Sequence, residues 1–425
     1  SRNRADWLLG VNSSYAICKA VDFGNNSLGR VQTPVLAEIC RRYRERENHM
    51  PVDSWPVFIS LCKNDRILKM RHVDDLVVRR EALALYEDCK AAKSVCITAV
   101  GKRTEEIGAP ALYNLAELQK DANRYHSLTA IQVQEIAQGL YEKKLISYPR
   151  TSSRLLPKDV YDTLPPVMEK MLSRKEFRQY ADTVDLAAPR DSIEAQDTME
   201  HHAIIITGTQ PGKLDREEML VYTLIVGRML ETFMPPCKVE YTTVDTVCAA
   251  RKFRIRTYRI LEKGWLGIFE REHLVAKGCM PYLVMPDLFQ EEILPVAGCS
   301  LIHKKSLPVS PYTDEELVDY MDKAGLGTVS TRTNILRTLL ERKYIRYSGK
   351  YVVPTPKGLF LYETVRSMKV ADASLTSGWE TELARIERGE LSQEKFLDGV
   401  LETVNEVTGE IFRNHPVKKR PQGTT

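Results

Sequence analysis

Several features are scarce or missing in this 425-residue chain, and each gap excludes something. None of its nine cysteines, at positions 18, 40, 62, 89, 96, 237, 248, 279 and 299, forms a C-x-x-C pair. That argues against a zinc ribbon and against a disulfide framework, and the thiols read as reduced and mostly buried. No apolar run approaches the length of a bilayer span, and no apolar segment follows a basic start, so the expectation is neither membrane insertion nor secretion but the cytoplasm or a nucleus. No G-K-[ST] completes a phosphate-binding loop of the Walker type. Short internal repeats and long low-complexity linkers are also missing. A net charge of +4 on 61 basic and 57 acidic residues does not by itself point to a nucleic-acid partner, so clustering has to carry that argument.

What is present reads as folded, with 43% hydrophobic and 28% charged residues. The length predicts two to four domains of roughly 100 to 150 residues each. "VLAEICRRYRERE" places Val35, Leu36, Ile39 and Tyr43 at helical spacing, with Arg41, Arg42, Arg44 and Arg46 on the other faces. From Trp55 the runs become strand-like and continue so through "SVCITAVGKRTEE". Helix is predicted over 113–146, with Ser127 or Thr129 as a cap, and over 216–233, ended by Pro235 and Pro236. Strands return from Cys237 to about His303, where alternation puts Arg254, Arg256 and Tyr258 on one sheet face, either a solvated surface or one facing a polyanion. Beyond Ser310, "TDEELVDYMDKAG" opens on a Thr313–Glu316 capping box, a second helix follows, and "YIRYSGKYVVPTPKG" forms a hairpin turning at Ser348-Gly349. Helix, turn, helix and two-stranded wing is the layout of a winged helix. The tail after Asn414 is expected to be loose.

These blocks predict one β domain interrupted by a helical insert, with the outer helical segments packed together. The boundaries are 1–54 and 304–425 for the helical, single-strand-binding and winged-helix-like domain, 55–104 and 237–303 for the β-rich arch, and 105–236 for the insert.

Three stretches hold residues suited to chemistry. In "KLISYPRTSSRLLP", Pro149 favours an extended Tyr148, and the period of two then puts Tyr148 and Arg150 on one side. A phenol with an ordinary pKa of about 10 is a poor nucleophile, and a neighbouring guanidinium both stabilises the phenolate and grips a phosphate. A phenolate also leaves more readily than a sugar alkoxide, so attack on a phosphodiester would be reversible. In "EHHAIIITG", a histidine is able to donate to a phosphate or exchange a proton with a departing oxygen, and no H-x-x-x-H spacing or cysteine companion suggests zinc. "SLGRVQTP" is a glycine turn feeding the basic helix, with Arg30, Gln32 and Thr33 as donors. Each stretch alone also reads as ordinary structure: a tyrosine beside a turn, packed histidines, a helix start.

Taken in order, "RADWLLGVNSSYA", "SLGRVQTPVLAEI", "LYNLAELQKDANR", "LYEKKLISYPRTSS", "EHHAIII" and "GLGTVSTRTNILRTLLERKYI" resemble the type IA DNA topoisomerases, and most of all the topoisomerase III branch. The resemblance implies an α+β multidomain toroidal core with a winged-helix-like domain, a β-rich arch and a catalytic-tyrosine domain. It implies that Tyr148 attacks single-stranded DNA and stays joined to the 5′-phosphate, that Arg150 holds that phosphate and that His201 assists. Arg30, Gln32 and Thr33 would line the strand groove with Thr328, Ser330, Thr331 and Arg332. Strand passage and resealing would follow without ATP.

Ser152 and Ile206 depart from the family's acid and proline. The family also begins with a Toprim domain bearing the Mg²⁺ ligands, and nothing in this sequence substitutes for it. The expectation is therefore a monomeric fragment whose partners are single-stranded DNA and that domain, without zinc, in a bacterial cytoplasm at the nucleoid. A tyrosine recombinase has the opposite order of tyrosine and histidine. The competing reading is a non-catalytic single-stranded DNA-binding module.

Overall fold

The alternation in "CKVEYTTVDTVC" and "RKFRIRTYRILE" builds two long strands, Cys237–Cys248 and Arg251–Glu262, paired antiparallel over their length. They turn at Ala249-Ala250, whose φ angles of 50° and 57° are the left-handed pair that suits a two-residue hairpin. The computed structural model of the chain describes residues 1–21, 25–175, 177–185, 193–194, 201–281, 286–329 and 331–415. The hairpin belongs to a seven-stranded sheet in the order Arg66–His72, Val57–Lys63, Ile293–Leu301, Ser94–Ile107, Cys237–Cys248, Arg251–Glu262 and Met280–Pro281. Arg71 and His72 also pair with Arg254 and Phe253, so the sheet closes on itself like a barrel and leaves few strand edges unpaired.

Val57, Ile59, Leu68, Ile97, Val244 and Phe253 fill the sheet's apolar side, and Ala82, Leu85 and Cys89 of the helix Arg79–Ala91 cover them. That helix lies inside a block read from sequence as strand-like. The three apolar positions fall at helical spacing within an Ala-, Leu- and Glu-rich run, which favours helix. A second correction concerns Tyr258, expected beside Arg254 and Arg256 on an outer face. It is buried with Tyr241, Trp265 and Val275 and donates to Glu272, because the segment after Glu262 folds back over that end of the sheet.

The chain leaves this sheet at Ile107 and returns at Cys237, which sit opposite each other in register. Between them lies a separate core of Leu118, Val133, Leu140, Met168, Leu224, Ile225 and Phe233. The helical stretch predicted over 113–146 is two helices, and Thr129, one of the two caps expected, opens the second. Asn114 caps Leu115–His126, Ser127 breaks it with a φ of 58°, and Thr129 starts Ala130–Glu142 with a capping box to Gln132. Asp215 and Glu218 make the same device at the start of Arg216–Thr232.

The third core joins the two ends of the chain: Leu9, Ile17, Leu36 and Ile39 pack with Leu317, Leu339, Trp379, Val404 and Ile411. The Thr313–Glu316 capping box forms as expected, and the hairpin Ile345–Ser348 with Tyr351–Pro354 gains a third strand, Tyr312–Thr313. In the basic helix Gln32–Glu47, Arg41, Arg42 and Arg44 are tied to Glu38, Glu316 and Glu47. All nine cysteines are unpaired; Cys40, Cys89, Cys237 and Cys248 are buried, whereas Cys18 and Cys96 are exposed. Among the described residues no helix is long and apolar enough to cross a membrane.

Candidate active site

The segment holding Tyr148 is fixed by its neighbours before its side chains are considered. Helix Ala130–Glu142 ends in a turn at Lys144, with a φ of 58°, and Leu145 and Ile146 then enter the core of the insert. Ile146 bridges Ile206, the Ser147 amide donates to the Ile205 carbonyl at 2.8 Å, and the Ser147 hydroxyl donates to the Ala203 carbonyl at 3.0 Å. On the other side the Leu115 amide donates to the Thr151 carbonyl at 3.2 Å, and Asn114 Nδ2 to the Ser152 carbonyl at 3.0 Å. The segment is threaded between two others, and Pro149, which has no amide to satisfy, is buried in the middle.

This threading leaves Tyr148 half-buried and brings it to His201. Their ring centroids lie 4.5 Å apart at an interplanar angle of 46°. Thr151 helps by donating its hydroxyl to the His201 carbonyl at 3.2 Å. His202, by contrast, turns its Nδ1 to the Ala203 carbonyl at 2.7 Å, so the two adjacent histidines have different surroundings. Arg150 is half-buried, and its Nε is shielded from water with no hydrogen-bond partner among the described residues. A shielded donor of this kind costs about 1–3 kcal/mol unless something accepts from it, and a phosphate oxygen would suit. Tyr141, not singled out from sequence, meets the Tyr148 ring edge-on at 5.5 Å from the last turn of its helix.

The second set of residues converges elsewhere. Gly29, Arg30 and Gln32 share a cavity of about 240 Å³ with Gly327, Thr328 and Thr331, so two motifs far apart in sequence form one wall. Gly327 adopts a φ of +73°, and a Cβ there would sit 2.9 Å from Ile335 Cδ1. Gln32 keeps a half-exposed amide that accepts from Arg342 at 2.8 Å. Arg30 is buried instead, its Nε on Asp6 at 2.6 Å and its Nη1 on Glu380 at 2.8 Å. Thr33 is also buried, accepting from the Gly29 amide at 2.9 Å. Arg332 reaches Asp322 at 2.6 Å, with Nε and Nη1 unpartnered among the described residues. Ser330 lies outside the described residues.

Behind the Tyr148 segment is a charge network missed from sequence. Asp121 accepts from the Tyr113 hydroxyl and, at 2.8 Å each, from Arg228 and Arg271. Arg228 also binds Glu231 at 3.0 Å, whose carboxyl burial pushes up to about 7. Arg154 donates to the Ala111 and Leu112 carbonyls, and the next residue, Tyr113, accepts the Ile204 amide at 2.8 Å. The only sequence signal was an acid on the inner side of the helix Leu115–His126. Among the described residues no group of three or more His, Cys, Asp or Glu side chains is gathered as a metal site would need.

Comparison with known proteins gives consistent matches. A family model described as DNA topoisomerase matches residues 1–398. The chain is 28% identical over 404 residues to DNA topoisomerase 1 of Methanocaldococcus jannaschii, covering 94% of this chain and 52% of that protein. It is 28% identical over 443 residues to DNA topoisomerase 3 of Bacillus licheniformis, covering 97% and 60%. The solved structure of full-length topoisomerase I from Thermotoga maritima shares the fold, with a TM-score of 0.75 and 19% identity over 94% of this chain and 66% of the other. The chain thus spans between about half and three fifths of the length of these curated relatives.

Proposed function

The chain belongs to the type IA DNA topoisomerase family, and from that premise we propose that Tyr148 is the nucleophile of a reversible break in a single DNA strand. The phenol gives up its proton to solvent as its oxygen attacks phosphorus and forms the tyrosine–phosphate bond, while the bond to the 3′ oxygen breaks and leaves the 5′-phosphate on the protein. Arg150 holds the phosphate with its unpartnered donor, and His201, exposed at the rim, gives a proton to the departing 3′ oxygen. In reverse, the 3′ hydroxyl attacks and the phenolate leaves, so the phosphodiester is restored without ATP.

The observation that carries this reading is the Tyr148–His201 contact at 4.5 Å beside a guanidinium with an unused donor. Gln32, Thr328 and Thr331 bound the strand's path, and Arg30 and Arg332 hold that wall in shape through Asp6, Glu380 and Asp322. Mg²⁺, which the family resemblance implies, would neutralise phosphate charge when bound.

The test is an incubation of the protein, extended to the length of its relatives, with a single-stranded oligonucleotide and Mg²⁺. A denaturant-stable adduct is expected, and it should vanish in Tyr148→Phe. Persistence of the adduct in that variant would reassign the nucleophile. No adduct under any condition would favour the second reading, a non-catalytic module that binds single strands.

A further inference from the structure

The sheet of the arch carries a feature that cleavage at Tyr148 does not use. Two cavities, of about 410 and 530 Å³, open on it. Lys69, Arg71, Arg254 and Arg256 wall the first, together with Phe58 and Ile255. Lys102, Arg103, Arg256 and Lys277 wall the second. Arg256 stands between the two, and among the described residues no carboxylate lines either. For a chain whose net charge is only +4, this is a strong local excess of one sign.

The neighbouring carboxylates sit at the rim and behind. Asp245 takes Arg254 at 2.5 Å and Lys252 at 2.8 Å. The hydrogen bond from Arg254 is the main reason its carboxyl is held at about 2. Glu105 takes Arg103 at 3.2 Å and also Lys277, Asp75 takes Arg71, and Asp287 lies 3.8 Å from Lys102. Arg256 is exposed, and neither it nor Lys69 has a carboxylate within ion-pair distance among the described residues. Lys69 lies over the half-buried Phe58 ring, 4.8 Å from its centroid. Two unneutralised cations, backed by a row of partly neutralised ones and an accessible ring, match a chain of phosphates with bases beside it. Cavities of this size admit a phosphodiester unit with its sugar.

We propose that this surface, centred on Arg256, binds the backbone of a single-stranded nucleic-acid segment at a place distinct from the strand path beside Tyr148. The segment crosses the Arg256 wall with a phosphate on either side, and Phe58 offers a face for one base. An acidic protein segment would meet the same charge but would gain nothing from the ring. The surface does not depend on the cleavage chemistry.

The experiment is fluorescence anisotropy of a labelled oligothymidine of roughly 20 nucleotides, titrated with the whole chain carrying Tyr148→Phe so that no adduct forms. Arg256→Glu should raise Kd by at least about fivefold at low salt and reduce the slope of log K against log salt by about one. Arg256→Lys should stay near the parent, and Lys69→Glu should weaken binding in the same direction. Because both side chains project from the sheet, melting temperatures should not move; if Arg256→Glu fails to fold, Lys69→Glu carries the test alone. Kd within roughly twofold of the parent for the folded charge reversals would overturn the proposal. So would a loss of affinity for a polyglutamate probe without a loss for the oligothymidine, which would give the surface to an acidic protein. Weakening by Arg256→Glu here, together with no adduct from the Tyr148-bearing protein under the conditions of the cleavage test, would leave this surface standing while the cleavage reading falls.

Discussion

Replacing Asp121 with alanine removes the common acceptor of the Tyr113 hydroxyl and of Arg228 and Arg271, each guanidinium at 2.8 Å. The side chains of Arg228 and Arg271 are 6% and 5% exposed, so neither is able to turn to water. Arg228 would keep Glu231 at 3.0 Å, whereas Arg271 would be left with the rings of Tyr125 and Phe269, each 4.1 Å from its guanidinium carbon, and the weaker pull of Glu231 and the Tyr113 hydroxyl. Breaking a buried pair while leaving its partner charged costs about 3–5 kcal/mol, and that is the expected loss. Urea denaturation followed by far-ultraviolet circular dichroism reads it as a lower midpoint with an unchanged slope. Asp121→Asn, which keeps one acceptor, should lose less. The double variant Asp121→Ala/Arg271→Met should be more stable than Asp121→Ala alone, because the stranded charge goes with its partner. A loss under about 1 kcal/mol for Asp121→Ala, or no recovery in the double variant, would show that the network is not what secures this corner of the insert.

Three further outcomes follow from the same geometry. Burial raises the Glu231 carboxyl from 4.5 to about 7, so the folded state holds a proton that the unfolded state has released, and this group's contribution to stability falls as pH rises from about 4.5 to about 7. Glu231→Gln should abolish up to about 3 kcal/mol of that decline when the pH profiles of the two proteins are subtracted; parallel profiles would refute it. Gly327→Ala forces a left-handed residue against Ile335 and should cost about 1–3 kcal/mol in thermal unfolding while weakening oligonucleotide binding; an unchanged melting temperature would mean the loop adapts freely. Tyr141→Ala should slow adduct formation at Tyr148 more than it weakens DNA binding, with Tyr141→Phe close to the parent; equal effects on both would give the ring a purely structural part.

Local signals carried a good part of the fold. Thr313 and Glu316, or Asp215 and Glu218, announce helix starts through contacts three residues apart, and the wing hairpin follows from Ser348-Gly349 between apolar runs. The sequence order of motifs pointed to Tyr148 and His201, and their meeting needed the strand pairing of Ser147 with Ile205, which no local pattern encodes. Ion-pair partners were the least legible. Arg30 read as an available donor, but Glu380 arrives from the far end of the chain to neutralise it. Tyr258 fitted the alternation of its strand, yet its burial depends on the segment that folds over it afterwards. Asp121 gave little warning because a single acid on an amphipathic helix is common and its two arginines come from other elements.

Ile107 and Cys237 face each other across one rung of the seven-stranded sheet, so the whole tyrosine-bearing insert hangs from a two-stranded stalk. Were a body attached in this way to turn like a door on one hinge, every rung of the sheet would stay in place. The contacts that hold it include Lys120 with Asp319, Arg124 with Glu315, Arg337 with Glu135, Gln119 with Thr333 and the Ala130 amide with Asp314 toward the core of the chain ends, where Ala116 and Ala130 also pack, and Asp121 with Arg271 on the other side. The exposed pairs among these are worth only about 0–1 kcal/mol each, whereas Ala130 with Asp314 and Asp121 with Arg271 are buried and hold the latch more firmly. Salt and single surface substitutions therefore tune the exposed share of that latch, with no change to the fold on which the door is hung.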